Sequence, residues 1–538
     1  MTCKILCGNL LEIARLATVI VIIIVGETNG QGLPKNTITS KGTVFYKAGI
    51  AKYKMGDYKG ALWNFDSALA NEKKDSKVYY WKGKSEQNLD NNVDAMESFN
   101  AALLINKNDT LSYKELAESK RLLGKYKECI PDYNTALALD PNDGNMHFGR
   151  ASAYYELKEY NKSSEDYSFV IKKYPKFALA YMGRALSYIG LKKYSYAQSN
   201  IGRYFQLGGK DEGALYIRGL VKTRLGENNV FRLDSAIADL IRYTQSKDEA
   251  KRKDAMAYQT LGIAYSKKGD STNSRRYFRI SLQLDSTNAD TYGRWGATEL
   301  IFNNPKKANE LLSKARKMTD SPSKGLLLNY GIAKTGIGDT IAAVNNFAEA
   351  LKQDTTLYDA YERRVVFLFN NKKYTKMVLS DLQHMIELSQ KDIEKAEGHS
   401  DKSMVAMHVN DTLTARLEVE KAIKLMPGEP FHYMVRAFLN ANLNKNQTVI
   451  LWDIDKSINL DPNLTEAYLF KATYYSKQGN HRSGCESLKS AIRTGSNVSK
   501  EVEDYICKGK KPKDGRAPEL FIPVSPRLMK ISDNKYED

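Results

Sequence analysis

A spacing of 34 residues governs most of this 538-residue chain. Gly49, Gly83, Ala117, Ala151 and Ala185 stand 34 apart, and each is small. Twelve residues further on come Ala61, Ala95, Cys129, Ser163 and Ala197, small again. Sixteen beyond the same starting points come Phe65, Phe99, Tyr133, Tyr167 and Ile201, all large. Four before Gly49, Gly83, Ala117, Ala151 and Ala185 stand Phe45, Tyr79, Tyr113, His147 and Tyr181. Five copies in register point to a stack of like units, each covering the face its neighbour leaves open.

A pair of short antiparallel helices explains the pattern. Gly56, Gly124 and Gly269 fall midway through their units, where the chain must turn. The two small positions let the helix backbones approach closely, and the aromatics fill the space beside them. Asp140–Pro141, Pro175 and Asp461–Pro462 close units by stopping the second helix.

Two stretches show the frame plainly, FYKAGIAKYKMGDYKGALWNFDSALA from Phe45 and AYLFKATYYSKQGNHRSGCESLKSAI from Ala467. They resemble the tetratricopeptide repeat, a family whose signature sets a small residue, Tyr and Ala at these offsets. The resemblance continues through Gly262, Gly296 and, one residue late, Gly331. Tyr361, Val365 and Tyr374 carry the tenth unit, and Phe438 and Ala472 the last two. Twelve clear units and one degraded unit cover residues 43–495. The resemblance implies an all-α, right-handed superhelical solenoid of helix-turn-helix repeats that binds proteins and catalyses nothing.

The expected organisation follows from where the frame holds. Repeats one to ten span 43–388, with extra residues in the sixth at 226–235. Residues 389–412 lack a clear period and are expected to be irregular, either a degenerate unit or a functional loop. C-terminal repeats span 413–495, a capping helix 496–508, and a disordered tail 509–538.

Residues 1–30 read as a signal peptide. Leu16–Gly26 is an unbroken apolar run behind Lys4 and Arg15, too short for the ~20 residues a membrane helix needs. Cleavage before Gln31, or retention as an uncleaved anchor, places the protein outside the cytoplasm, in the periplasm or at the cell envelope.

Catalytic and ligand motifs are not found. The chain has no G-x-x-x-x-G-K-[ST], H-E-x-x-H, G-x-S-x-G or C-x-x-C, and its six His never form a ligand-spaced pair on one helix face. No catalytic residue, cofactor or metal is expected. With the small residue counted as position eight, position seven holds Arg150, Arg218 and Arg436, and Asp166, Asp239 and Asp453 follow on the second helices. These are expected to be structural ion pairs pinning the two helices of a unit. Cys485 and Cys507 lie on helices that turn about Gly495, which sets them opposite each other and predicts a disulfide. Cys129 holds a small core position and is expected to be a buried free thiol.

The family resemblance implies a concave wall of first helices, with positions two, five, nine and twelve facing a peptide or a partner helix. In units two to four those positions include Lys77, Tyr80, Lys84, Gln87, Lys114, Arg121, Phe148 and Tyr155. They suggest a basic, aromatic wall for an acidic or C-terminal segment. The net charge of +18 raises two other classes, a cell-envelope assembly factor on anionic polymer or membrane surface, and nucleic acid. Evenly spread Lys, interleaved acids and the leader argue against nucleic acid.

Overall fold

The computed structural model describes residues 40–226, 230–371, 373 and 375–510. The leader, Tyr374 and nearly all of the tail therefore lie outside the described residues. Every regular element among the described residues is a helix: thirteen antiparallel pairs, the four-residue Glu249–Arg252, and the terminal Lys500–Lys508.

The first pair, Lys41–Lys54 and Tyr58–Ala70, shows how the frame folds. Ser40 and Asp57 cap the two helices, accepting from the backbone N–H of Thr43 and Gly60. Ala61, Ala95, Cys129, Ser163 and Ala197 are fully buried, as are Phe65, Phe99 and Ile201. A Cβ added at Gly49 would lie 2.6 Å from Phe65, and one at Gly83 2.7 Å from Phe99. Where serine takes a small place its hydroxyl bonds across the pair. Ser163 Oγ donates to the Ala151 carbonyl and Ser274 Oγ to that of Gly262, each at 2.8 Å.

The corners recur as faithfully as the core. Gly56, Asp90, Gly124, Lys158 and Lys192 have φ of 77, 61, 74, 62 and 58°, a left-handed residue closing each of the first five hairpins. Successive pairs are also tied by the proline that ends a unit. Tyr181 Oη donates to the Pro175 carbonyl at 3.1 Å and Tyr433 Oη to that of Pro427 at 3.0 Å, and His147 Nε2 meets the Pro141 carbonyl at 3.1 Å.

The chain divides into two compact units, one ending at Ser286 and the other beginning at Thr287, and not near residue 389. The first holds seven pairs, the second six pairs and the terminal helix. Within each, neighbouring first helices approach one another, as Ser76–Asn88 does Thr110–Leu122 and Asp392–His408 does Pro430–Asn442. Neighbouring second helices stay further apart, so first helices line the inner curve of each unit.

Two expectations need correcting. Residues 389–412 are not irregular: they hold the 17-residue helix Asp392–His408, which packs on Thr412–Leu425 as a complete eleventh pair. Ser403 fills its small place and donates to the Ala415 carbonyl at 2.7 Å, while buried Ser400 bonds buried His432 at 2.8 Å. Polar side chains that find partners inside the core interrupt the apolar period that the sequence would otherwise show. In the sixth unit the extra residues at 226–235, expected between its helices, lie there only in part, because the second helix already begins at Val230 and runs to Thr244.

Candidate functional site

The first helices of 40–286 build an inner wall whose charges are already matched. Lys84 Nζ lies 2.9 Å from Glu115 Oε2 on the next first helix and donates to Gln87 Oε1 at 3.1 Å. Gln87 Nε2 in turn donates to the Glu115 carbonyl at 3.2 Å and to Ser119 Oγ at 3.0 Å. Lys114 Nζ bonds Asp143 Oδ2 at 2.9 Å, and Arg121 grips Glu118 with two bonds of 2.8 and 2.5 Å. Tyr133 Oη adds a third bond to Glu118 at 2.7 Å.

Glu118 is the electrostatic centre of this wall. Burial alone would raise its carboxyl, but Arg121 beside it and the Tyr133 hydroxyl outweigh that and hold it at about 2. A third of its side chain, 33%, still meets solvent. The wall predicted to be basic is therefore charge-balanced, because Glu115, Glu118 and Asp143 answer Lys84, Arg121 and Lys114. Lys77, at its edge, is exposed.

The aromatic members are packed rather than free. Tyr80 lies against Trp81 and Phe99, with centroids 5.4 and 6.0 Å away, and burial drives its hydroxyl far up. Phe148 packs on Tyr167 and Phe177 at 5.5 and 5.3 Å, and Tyr155 on Tyr160 at 5.7 Å. Tyr53 accepts a 3.0 Å bond from Asn88 on the same wall. Glu118 stands at position nine of this face beside Arg121, whereas Glu115 and Asp143 belong to the unit after their lysines and meet them only through stacking.

From the first helices the position-seven arginines reach second helices two ways. Arg150 donates to Asp166, 16 residues ahead, at 2.8 and 2.7 Å, and to Asn134, 16 behind, at 2.7 Å. Arg184 does the same with Asn200 at 2.8 Å and Ser168 at 3.1 Å. Arg436 holds Asp453 at 2.7 Å and Glu420 of the preceding pair at 3.0 Å. Arg218 binds Asp239 at 2.8 and 2.6 Å, joined there by Lys222 at 2.8 Å. These residues stitch one hairpin to the next. Arg184 escapes notice in the sequence because its partners carry no charge.

At the C-terminal end Cys485 and Cys507 are joined, with Cα atoms 4.5 Å apart. Cys129 is buried and free. Among the described residues no group of three or more His, Cys, Asp or Glu could hold a metal, and no helix is long and apolar enough to cross a membrane.

Family models agree with the hairpin geometry. The tetratricopeptide repeat matches residues 46–110 and 255–288, and a TPR repeat model matches 118–158. The chain is a tetratricopeptide-repeat protein. The remaining tetratricopeptide pairs share the fold of the matched ones.

No curated protein matches the sequence. Similar solved structures include MamA, 20% identical over 31% of this chain and 91% of that one, with a TM-score of 0.30. YrrB, a TPR protein with an unusual peptide-binding site, is 18% identical over 36% of this chain and 94% of that one, with a TM-score of 0.31. PilW, a type IV pilus biogenesis factor, is 17% identical over 44% and 98%, with a TM-score of 0.34. The tetratricopeptide assignment rests on the family models and the repeat itself, not on these structures.

Proposed function

We propose that the chain is an exported, non-catalytic scaffold that docks protein partners on the inner walls of its helical units. The repeat carries this reading. Its recurring residues serve packing, and its first helices are left to present side chains such as Lys77 and Glu118 along a wall. The Cys485–Cys507 bond supports export, because such bonds persist in oxidising compartments.

The full chain used as bait on a cell-envelope extract tests the scaffold role. A stoichiometric protein partner, weakened by Lys84→Glu with Glu115→Lys retained as a charge-swapped control, is the expected result. Turnover of an extract metabolite would overturn it. Export is tested separately by alkylating cells and weighing the protein: the expected species lacks the leader and has Cys485 and Cys507 blocked from alkylation. The +18 charge favours one alternative, an association with anionic envelope polymer. Salt-sensitive binding without fixed stoichiometry would mark it.

A further inference from the structure

The inner wall of residues 287–510 differs in kind from that of 40–286. With position eight at Gly296, Gly331, Val365, Ser403, Ala437 and Ala472, position two is held by Asp290, Gly325, Asp359, Glu397, Phe431 and Glu466. Four of these six are acids and none is basic, in a chain carrying +18, although Asp290 is already paired with Arg294 at 2.7 Å. In 40–286 the only charged residue at that position is Lys77.

Positions two, five, nine and twelve share one face of a helix, so each acid stands at the end of the stripe behind it. That stripe is mostly apolar, with Thr335, Ser400, Thr473 and Ser476 among it and one further acid, Glu362, behind Asp359. Ile332, Val366, Met407, Ala441 and Leu469 lie along it half-buried, over buried Met404 and Phe438. None of these stripe positions in 287–510 holds Lys or Arg, whereas Lys77, Lys84, Lys114 and Arg121 all occupy them in 40–286.

The acidic edge also carries charge that its surroundings resist. Glu429, at the entrance to the twelfth pair, has its carboxyl raised by burial and then by the nearby charges of Glu397 and Asp461. A cation placed there would relieve that repulsion. Methionine beside it adapts to apolar side chains of varied shape.

We propose that this wall binds an amphipathic segment of a partner protein, apolar on one face and lined with Lys or Arg along one edge. The inference rests on the inner-wall docking proposed above and names the chemistry of what docks on the second unit.

The test uses the full chain and three fluorescent synthetic peptides. One is an amphipathic helix with Leu and Phe at i, i+3, i+4 and i+7 and Lys on one flank. The second replaces each Lys by Glu, and the third keeps the cationic composition in scrambled order. The cationic amphipathic peptide should bind about tenfold more tightly than either of the others at about 50 mM NaCl. A chain carrying Asp359→Asn, Glu397→Gln and Glu466→Gln together should lose that preference while keeping its helical circular dichroism, and Lys77→Glu should leave it unchanged. Equal binding of the acidic or the scrambled peptide would overturn the inference, as would a triple variant that binds like the parent. Binding that appears only after residues 511–538 are removed would also overturn it, assigning the wall to the chain's own C-terminal segment. If the peptide preference fails while an envelope partner still binds, this inference falls and the scaffold reading stands.

Discussion

Arg364 holds Asp381 through two hydrogen bonds of 2.7 and 2.6 Å, with 9% and 3% of their side chains exposed. The pair joins the two helices of the tenth hairpin, Tyr358–Asn370 and Lys376–Leu388. Burial pushes the Asp381 carboxyl up more than Arg364 pulls it down, so the carboxylate is there at a cost. Arg364→Ala should therefore destabilise this hairpin by about 3 kcal/mol, since it strands a buried charge. Arg364→Met with Asp381→Leu should recover most of that loss. Hydrogen exchange in residues 358–388 reads both, and equal losses in the single and double variants would contradict the account.

The hairpin corners differ in how comfortably their residues adopt φ above zero. Lys192 sits at 58° where Gly124 sits at 74°. Lys192→Gly should stabilise the fifth hairpin by up to about 1 kcal/mol, the strain relieved exceeding the flexibility added to the unfolded chain. Gly124→Lys should cost a similar amount. Local exchange rates in helices Ala178–Gly190 and Tyr194–Gln206, and in Thr110–Leu122 and Tyr126–Leu139, report the two changes.

Acid should loosen the eleventh hairpin through Glu418. Its carboxylate accepts from His399 at 2.5 Å and lies 3.0 Å from Lys421 and 3.2 Å from Lys402. Burial opposes the charge, but these partners prevail and hold the carboxyl at about 2. A depressed carboxyl stabilises the fold above its unfolded value and loses that contribution as pH falls toward its folded value. The contribution, about 2–3 kcal/mol, should fade between pH ~4.5 and ~2. The Tm gap between the chain and Glu418→Gln should narrow across that window, and a constant gap would show that Glu418 does not carry the effect.

Breaking the terminal disulfide should act locally. Cys507→Ser should cost about 3 kcal/mol, the loop-closure value for a bridge of this span. The loss should show first as faster exchange in Lys500–Lys508, which packs on His481–Arg493, and leave residues 40–286 untouched. Dithiothreitol should reproduce it in the parent chain and add nothing in the variant.

The hairpins were legible because each unit solves the same packing problem with the same residue sizes. Gly83 can only be small beside Phe99, and Gly49 beside Phe65, so the period announces itself. The eleventh pair hid because Ser400, Ser403 and His432 bury polar groups that pay their way through hydrogen bonds, which a hydropathy pattern does not register. The wall of 40–286 read as basic because Lys84 and Lys114 find their acids 31 and 29 residues away, on the following unit. Only the stacking of hairpins brings such pairs together.

Cys129 offers a use of its own. Its thiol is fully buried in the third hairpin, and burial pushes its pKa up to about 12. Cys485 and Cys507 are tied to each other, so a thiol reagent meets no other free sulfur among the described residues. Alkylation of the peptide containing Cys129 therefore clocks how often helix Tyr126–Leu139 swings open, a stopwatch set inside the molecule without any engineered label.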